Sequence, residues 1–273
     1  MNSDPSNFYF YEPLAYLGVN IFPSQSNVTN YLQRLLKCDF VSSGQEKYFR
    51  EKYTLKHNTN FYNMCKKQPK TCSDPEFIAQ FCKLFPLLSM KLVRLPIYRV
   101  ENLLLNTNVK ILYLVRDPRA VMASRLKRKW CKISETCKNP AILCAQLQED
   151  FKSAQRLLQL FPSQVLIMRY EDITHNINMS VSEIFNFAGR DLNSYITNYI
   201  RTHTVGRKGG VYQTYRDTAK IAKDWLNKLT LNQIQLIQEQ CKDAMKLWGY
   251  NFLDSNTNKQ YFNQLRQLEM NKQ

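Results

Sequence analysis

Ile111-Leu-Tyr-Leu-Val-Arg116-Asp117-Pro118-Arg119-Ala-Val-Met-Ala-Ser124-Arg125 is the stretch from which the organisation of the chain can be read. Together with Val109 and Lys110, the run up to Val115 is apolar on both faces, as a central parallel strand is. Asp117 suits a helix N-cap, because its carboxylate can accept a free N–H of the first turn. Pro118 suits the first helical position, where its missing N–H costs nothing. The spacing therefore predicts a strand over Val109–Val115 and a helix over Pro118–Lys129. A strand that passes directly into a helix is half of a parallel crossover unit.

The same grammar extends in both directions. Met90-Lys-Leu-Val-Arg-Leu95 is a short strand candidate, and Val100–Leu105 a helical piece. Asn139 and Pro140 repeat the cap-and-proline start for a longer helix carrying Leu143, Leu147, Phe151, Ala154 and Leu158 on one stripe. Gln164–Tyr170 reads as a second buried strand. Thr230 and Gln233 form a capping box for the last helix, Leu231, Ile234, Ile237, Cys241 and Met245 face inward, and Gly249 closes it. The alternation predicts the α/β class: one domain over residues 1–253, with a mostly parallel central sheet flanked by helices. Cys38–Lys70, polar and weakly periodic, reads as an insertion of loops and short helices, and 254–273 as a polar tail.

Composition narrows the function classes. The 273 residues include 38 Lys and Arg against 22 Asp and Glu, a net charge of +16, with 44% hydrophobic and 12% aromatic content. The apolar content is that of a folded chain, and the charge asks for an anionic partner. Nucleic acid fits poorly, because the basic residues are spread and no helix-turn-helix, zinc finger or aromatic RNP pattern occurs. Seven glycines exclude collagen-like and Gly-rich linker classes. No run approaches the ~18–20 apolar residues of a membrane-spanning helix. The N-terminus lacks the basic and apolar regions of a signal peptide. Eight cysteines, Cys38, Cys65, Cys72, Cys82, Cys131, Cys137, Cys144 and Cys241, show neither CxxC spacing nor a nearby histidine at zinc-ligand spacing, so no metal is expected. Disulfides in an oxidising lumen and buried free thiols both remain open, and eight cysteines allow 105 full pairings. Two N-glycosylation sequons, at Asn27 and Asn178, point to the lumen.

The chemistry concentrates where the first quoted strand ends. Ligands of α/β sheets sit at the carboxyl ends of strands, where a helix N-terminus adds free N–H groups and a positive dipole end. Arg116 lies at that end, with Arg119, Ser124 and Arg125 on the helix and Lys127, Arg128 and Lys129 beyond. One reading is a phosphate-monoester site, with Arg as a bidentate fork and Ser as a hydroxyl donor. The competing reading is a structural Arg116–Asp117 ion pair and a solvated basic helix face.

Leu114-Val-Arg-Asp-Pro-Arg-Ala-Val-Met-Ala-Ser-Arg125 resembles the 3′-phosphate-binding motif of the Golgi carbohydrate sulfotransferases, in particular the group acting on 6-hydroxyls of galactose, N-acetylgalactosamine or N-acetylglucosamine. Phe8-Tyr-Phe-Tyr-Glu-Pro-Leu14, Lys91-Leu-Val-Arg-Leu95, Arg169-Tyr-Glu-Asp172, Thr214-Tyr-Arg216 with Trp225, and Cys241 with Gly249-Tyr250 resemble further family segments in the same order. Leu226 stands where the family carries an arginine after the tryptophan.

The resemblance implies a P-loop-NTPase-like sulfotransferase fold. It also implies transfer of a sulfuryl group from 3′-phosphoadenosine 5′-phosphosulfate to a sugar 6-hydroxyl of a glycan or glycosaminoglycan, without metal and without nucleic acid. Arg116 and Ser124 match the pair that holds the donor's 3′-phosphate. Glu12 is the implied base, with His203 its rival. Arg207, in Arg207-Lys-Gly-Gly210, and Arg216 are further donor-side candidates. The implied location is the Golgi lumen, with a membrane anchor in a full-length form. The family's 5′-phosphosulfate loop belongs about fifteen residues before Phe8, and the reading expects that first strand and loop to be missing from the chain. Weak donor binding is expected as a consequence, and the alternative is a catalytically inactive relative that grips anionic glycans or nucleotides.

Overall fold

In the computed structural model the described residues are 4–15, 25–40, 48–49, 55–93, 95–204 and 218–253. Internal contacts divide the chain into two compact units, Met1–Val109 with Asn193–Tyr199, and Lys110–Leu192 with Ile200–Gln273.

The first unit is built around strand β1 (Asn7–Tyr11). Alternation sends Phe8 and Phe10, both fully buried, to one face and Tyr9 and Tyr11 to the other. Helix α1 (Gln25–Leu36) covers the phenylalanine side with Val28, Tyr31, Leu32 and Leu35, a one-sided helical stripe. Helices α2 (Thr59–Lys67) and α3 (Pro75–Lys83) start on side-chain caps: Asn58 accepts from the Phe61 N–H at 3.1 Å and Asp74 from the Glu76 N–H at 2.9 Å. Strand β2 (Leu87–Lys91) then pairs parallel with β1, Asn7 opposite Leu87 through Tyr11 opposite Lys91. The strand expected at Met90–Leu95 is thus displaced toward the N-terminus, into the register that β1 offers. A 3₁₀ turn (Ile97–Val100) and helix α4 (Glu101–Asn106) complete the unit's order up to Val109.

The region Cys38–Lys70 contributes to the core of the first unit. Phe40, Tyr48, Phe49 and Phe61 belong to the same buried cluster as Phe8 and Phe10. Phe40 and Phe49 meet edge-on at 4.8 Å between ring centres. Phe40 enters from irregular backbone, Tyr48 and Phe49 from helical backbone and Phe61 from α2, so no single helix or strand period betrayed them.

In the second unit strand β3 (Ile111–Val115) runs parallel to β4 (Val165–Arg169). Helix α5 (Pro118–Arg125) starts on Asp117, as its cap predicts, but ends at Arg125 rather than at Lys129. The chain turns instead through two single-turn helices, α6 (Lys129–Lys132) and α7 (Glu135–Lys138). A Cys131–Cys137 disulfide and the Ser134 cap hold that turn, which a continued helix would pull apart. Helix α8 (Pro140–Leu160) carries Leu143, Cys144, Leu147, Ala154 and Leu157 into the core, and its cap Asn139 accepts from the Ala141 N–H at 2.9 Å.

The two faces of strand β3 are covered unequally. Tyr113 donates to Asp150 of α8 at 3.0 Å and stacks on Trp248, and Val115 is buried, whereas Leu114 on the alternate face is 49% exposed. The strand is apolar on both faces, as expected, with Leu114 its most exposed residue.

Beyond β4 come α9 (Tyr170–His175), α10 (Ile177–Phe187), α11 (Ser194–His203), α12 (Thr218–Lys223) and α13 (Trp225–Lys228). The last helical stretch opens on the expected Thr230–Gln233 capping box but breaks at Cys241 into α14 (Leu231–Gln240) and α15 (Lys242–Leu247). All strand pairing among the described residues is parallel, as an α/β chain with helical crossovers requires.

All eight cysteines are oxidised in pairs, Cys38–Cys82, Cys65–Cys72, Cys131–Cys137 and Cys144–Cys241, which removes the free-thiol reading. No helix among the described residues is long and apolar enough to cross a membrane.

Candidate functional site

At the carboxyl end of β3 the two neighbouring arginines have different surroundings. Asp117 caps α5 by accepting the Arg119 N–H at 2.8 Å. Its carboxylate also takes the Arg119 guanidinium, with contacts of 2.7–3.2 Å, and both residues are 4% exposed. Arg119 Nη1 donates to Gln238 Oε1 at 2.8 Å, and its guanidinium lies 4.2 Å over Trp225. Its donors are thus committed to protein partners, and Arg119 is a structural strut between α5, α13 and α14. The ion pair that the competing reading assigned to Arg116 is made by Arg119.

Arg116 remains differently equipped. Nη2 donates to the Ile221 carbonyl at 3.2 Å, and the guanidinium lies 4.5 Å over Tyr170. Its buried Nε meets no acceptor among the described residues. An unmet charged donor in such a place is costly unless an anion completes it. Ser124, two turns along α5, is exposed. Arg125 donates to the Cys137 carbonyl at 3.4 Å and so braces the disulfide turn.

The turn is held from below by the segment Arg169-Tyr-Glu-Asp172. Glu171 Oε1 accepts the Asp117 backbone N–H at 3.1 Å, and Oε2 accepts the Tyr250 hydroxyl at 3.0 Å. Burial raises the Glu171 pKa, against the two backbone hydrogen bonds that lower it. Burial, and then the neighbouring Glu171, also push the Tyr250 phenol up. Arg169 chelates Asp172 at 2.7 and 2.8 Å and donates to the Trp248 and Gly249 carbonyls at 3.2 and 2.7 Å. The sequence showed the Arg-Tyr-Glu-Asp and Gly-Tyr segments as separate signatures, whereas the fold makes them one clamp behind the Arg116 turn. Leu226 is buried.

In the first unit Glu12 follows β1 with a left-handed φ of 46°. Its N–H donates to the Lys91 carbonyl at 2.9 Å, and its carboxylate stands 3.8 Å from Lys91 Nζ with the side chain 14% exposed. The Lys91 ammonium lies 4.9 Å over the Tyr11 ring, on which His57 stacks at 3.8 Å. Sequence reasoning missed Lys91 as a site residue, although it begins the quoted Lys-Leu-Val-Arg-Leu segment, and missed His57, which no spacing singled out. His203 sits at the end of α11 with Nδ1 2.9 Å from Thr202 Oγ1. Arg207 and Arg216 lie outside the described residues. Among the described residues no group of His, Cys, Asp and Glu could hold a metal ion.

These sites sit in a chain with recognisable relatives. Carbohydrate sulfotransferase 1 of Mus musculus is 29% identical over 197 residues, covering 65% of this chain and 48% of that protein. Carbohydrate sulfotransferase 3 of Tetronarce californica is 30% identical over 166 residues, 52% of this chain and 36% of its own length. Human carbohydrate sulfotransferase 3 is 21% identical over 308 residues, 91% of this chain and 63% of its own length. The chain thus spans about half the length of the first of these. The solved "Sulfotransferase Domain from the Curacin Biosynthetic Pathway" superposes with a TM-score of 0.44 at 17% identity, over 82% of this chain and 85% of that one. The family described as "Sulfotransferase domain" matches residues 29–249, well over half of the chain, and the protein belongs to that family.

Proposed function

We propose that the protein is a carbohydrate O-sulfotransferase that uses 3′-phosphoadenosine 5′-phosphosulfate as donor and a sugar 6-hydroxyl of a glycan or glycosaminoglycan as acceptor. The observation that carries the reading is Arg116, whose buried Nε meets no acceptor among the described residues. Arg116 lies at the carboxyl end of a parallel strand, next to a capped helix N-terminus and before an exposed Ser124. That set fits a dianionic phosphate: a fixed guanidinium, free N–H groups and one neutral hydroxyl donor.

The donor supplies an activated sulfuryl group when bound. Arg116 and Ser124 hold its 3′-phosphate, and Tyr170 beneath the guanidinium fixes the plane in which Arg116 donates. Asp117, Arg119 and Glu171 keep the turn rigid, so that positioning, the main resource in this class of transfer, is set before the ligand arrives. Four disulfides and two sequons support an oxidising lumen, here the Golgi, as the place of action. The relatives' names support a carbohydrate acceptor.

Calorimetry with adenosine 3′,5′-bisphosphate tests the reading. Arg116→Ala is expected to lose roughly 1.5–3 kcal/mol, about ten- to a hundredfold in affinity, with little change in thermal midpoint. Arg119→Ala is expected to lower the thermal midpoint instead, since it strands buried Asp117. Absence of bisphosphate binding in the wild type, or equal affinity in Arg116→Ala, counts against the proposal.

A further inference from the structure

Helix α1 buries Val28, Tyr31, Leu32 and Leu35 in the core of the first unit, which leaves a polar stripe on its other side. Asn30, Gln33 and Lys37, three and four residues apart, follow that stripe to just past the end of the helix. Helix α4 packs against α1 and answers with Asn102 and Asn106, one turn apart, while its Leu103 and Leu104 are buried. These five residues, with Thr29 and Thr107, line a cavity of about 530 Å³. That volume falls within the roughly 300–1,000 Å³ of small-ligand sites. The whole lining belongs to the first unit.

Among the described residues no carboxylate, guanidinium or aromatic ring lines this cavity, and the exposed Lys37 is its one charge. The side-chain amides of Asn30, Gln33, Asn102 and Asn106 supply donors and acceptors side by side. Asn106 spends one N–H on the Asn102 carbonyl at 2.7 Å, and the Thr107 hydroxyl donates to the Leu103 carbonyl at 2.7 Å, so both side chains are held in place. Thr29 is 4% exposed, and its Oγ1 meets no hydrogen-bond partner among the described residues. A buried hydroxyl beside a cavity is costly unless something in the cavity completes it. Ligand classes separate on these groups. An apolar ligand finds no apolar side chain in the wall. A phosphate asks for guanidinium forks, and a nucleobase for an aromatic face to stack on. A polyol, whose adjacent hydroxyls each donate and accept, matches rows of amides that do the same. Lys37 adds a charge for an anionic substituent such as a sulfate.

We infer that the cleft between α1 and α4 is a carbohydrate-binding site, which grips an oligosaccharide by its hydroxyls and favours one bearing a sulfate within reach of Lys37. It involves neither Arg116 nor Ser124, so it holds whether or not the chain transfers a sulfuryl group. Its task is retention: a glycan held here stays with the protein independently of the donor residues.

The test combines side-chain amide NMR with calorimetry on the whole chain. The probes are neutral oligosaccharides ending in galactose, N-acetylgalactosamine or N-acetylglucosamine, and their 6-sulfated forms. At least one is expected to shift the NH₂ signals of Asn30, Gln33, Asn102 and Asn106 together and to leave that of Asn178, on the second unit, in place. Gln33→Ala and Asn102→Ala should each weaken that sugar about two- to tenfold. Asn30→Trp, which fills the cavity from an exposed position, should abolish binding. Lys37→Ala should weaken the sulfated form more than the neutral one. All four variants should keep the thermal midpoint and the bisphosphate affinity of the wild type. The inference is overturned if no probe shifts the four amides, or if Asn30→Trp binds sugar as the wild type does. It is equally overturned if Lys37→Ala treats the two forms alike, or if inorganic phosphate or adenosine 3′,5′-bisphosphate shifts the four amides where the sugars do not. Bisphosphate calorimetry on the wild type reports separately on the sulfuryl-transfer reading, so the two failures are told apart.

Discussion

Arg116 and Arg119 are the same residue type three positions apart, and their neighbours give them opposite tasks. Arg119 is spent on Asp117, Gln238 and Trp225, whereas Arg116 keeps a buried donor unmet among the described residues. Glu171 governs the turn between them through the Asp117 N–H. A carboxyl whose native pKa is raised above its unfolded value adds stability while protonated. That stability is full below the unfolded pKa and is lost as pH rises through the native one. Glu171→Gln keeps the shape without the charge, so its urea midpoint relative to wild type should climb as pH rises through that window. Parallel curves for the two proteins would show that Glu171 does not titrate with folding. The importance of the Arg116 stretch was legible from residue types and spacing. Which arginine takes Asp117 was not, because Gln238 and Trp225, which hold Arg119 in place, lie over a hundred residues away in sequence.

At the scale of elements, helix starts were read well and helix ends poorly. Asp117, Asn139 and Thr230 all cap the helices predicted for them, because capping is a local contest between side chain and backbone. The end of α5 at Arg125 and the break at Cys241 depend on disulfides with distant or turning partners. Gly249 is an ending that the sequence did announce. Its φ is +71°, and a Cβ there would stand 3.2 Å from Arg169 Nη1. Gly249→Ala should therefore cost the ~1–2 kcal/mol of a left-handed alanine and also disturb the Arg169 clamp. Gly189, at φ +66° with nothing within 4 Å of an added Cβ, should pay only the backbone part on substitution by alanine. Urea denaturation of the two variants checks the order, and an equal loss would count against the clamp.

At the scale of the molecule, covalent links supplement the cores. In the second unit the Cys144–Cys241 bridge spans 97 residues and Cys131–Cys137 only 6. If constraint of the unfolded chain dominates, removing the long bridge should cost roughly 4–5 kcal/mol and the short one about 2. Paired serine variants followed by calorimetry test this, and a larger loss from the short bridge would point to native packing instead. Strand–helix alternation made the α/β class legible, because parallel pairing demands helical crossovers. The aromatic core of the first unit was not, because Phe40, Phe49 and Phe61 enter it without a common period.

By itself the sequence determined where strands pass into capped helices, that the pairing is parallel, and that an arginine-rich, Asp-capped turn follows Val115. Those are consequences of chemistry between near neighbours in the chain. Only the tertiary structure decided which cysteines pair, that Arg119 rather than Arg116 takes Asp117, that Glu171 and Tyr250 brace the turn, and that His57 joins Lys91 and Glu12. Each of these depends on side chains brought together over dozens of residues, where burial and charge are properties of the fold rather than of spacing.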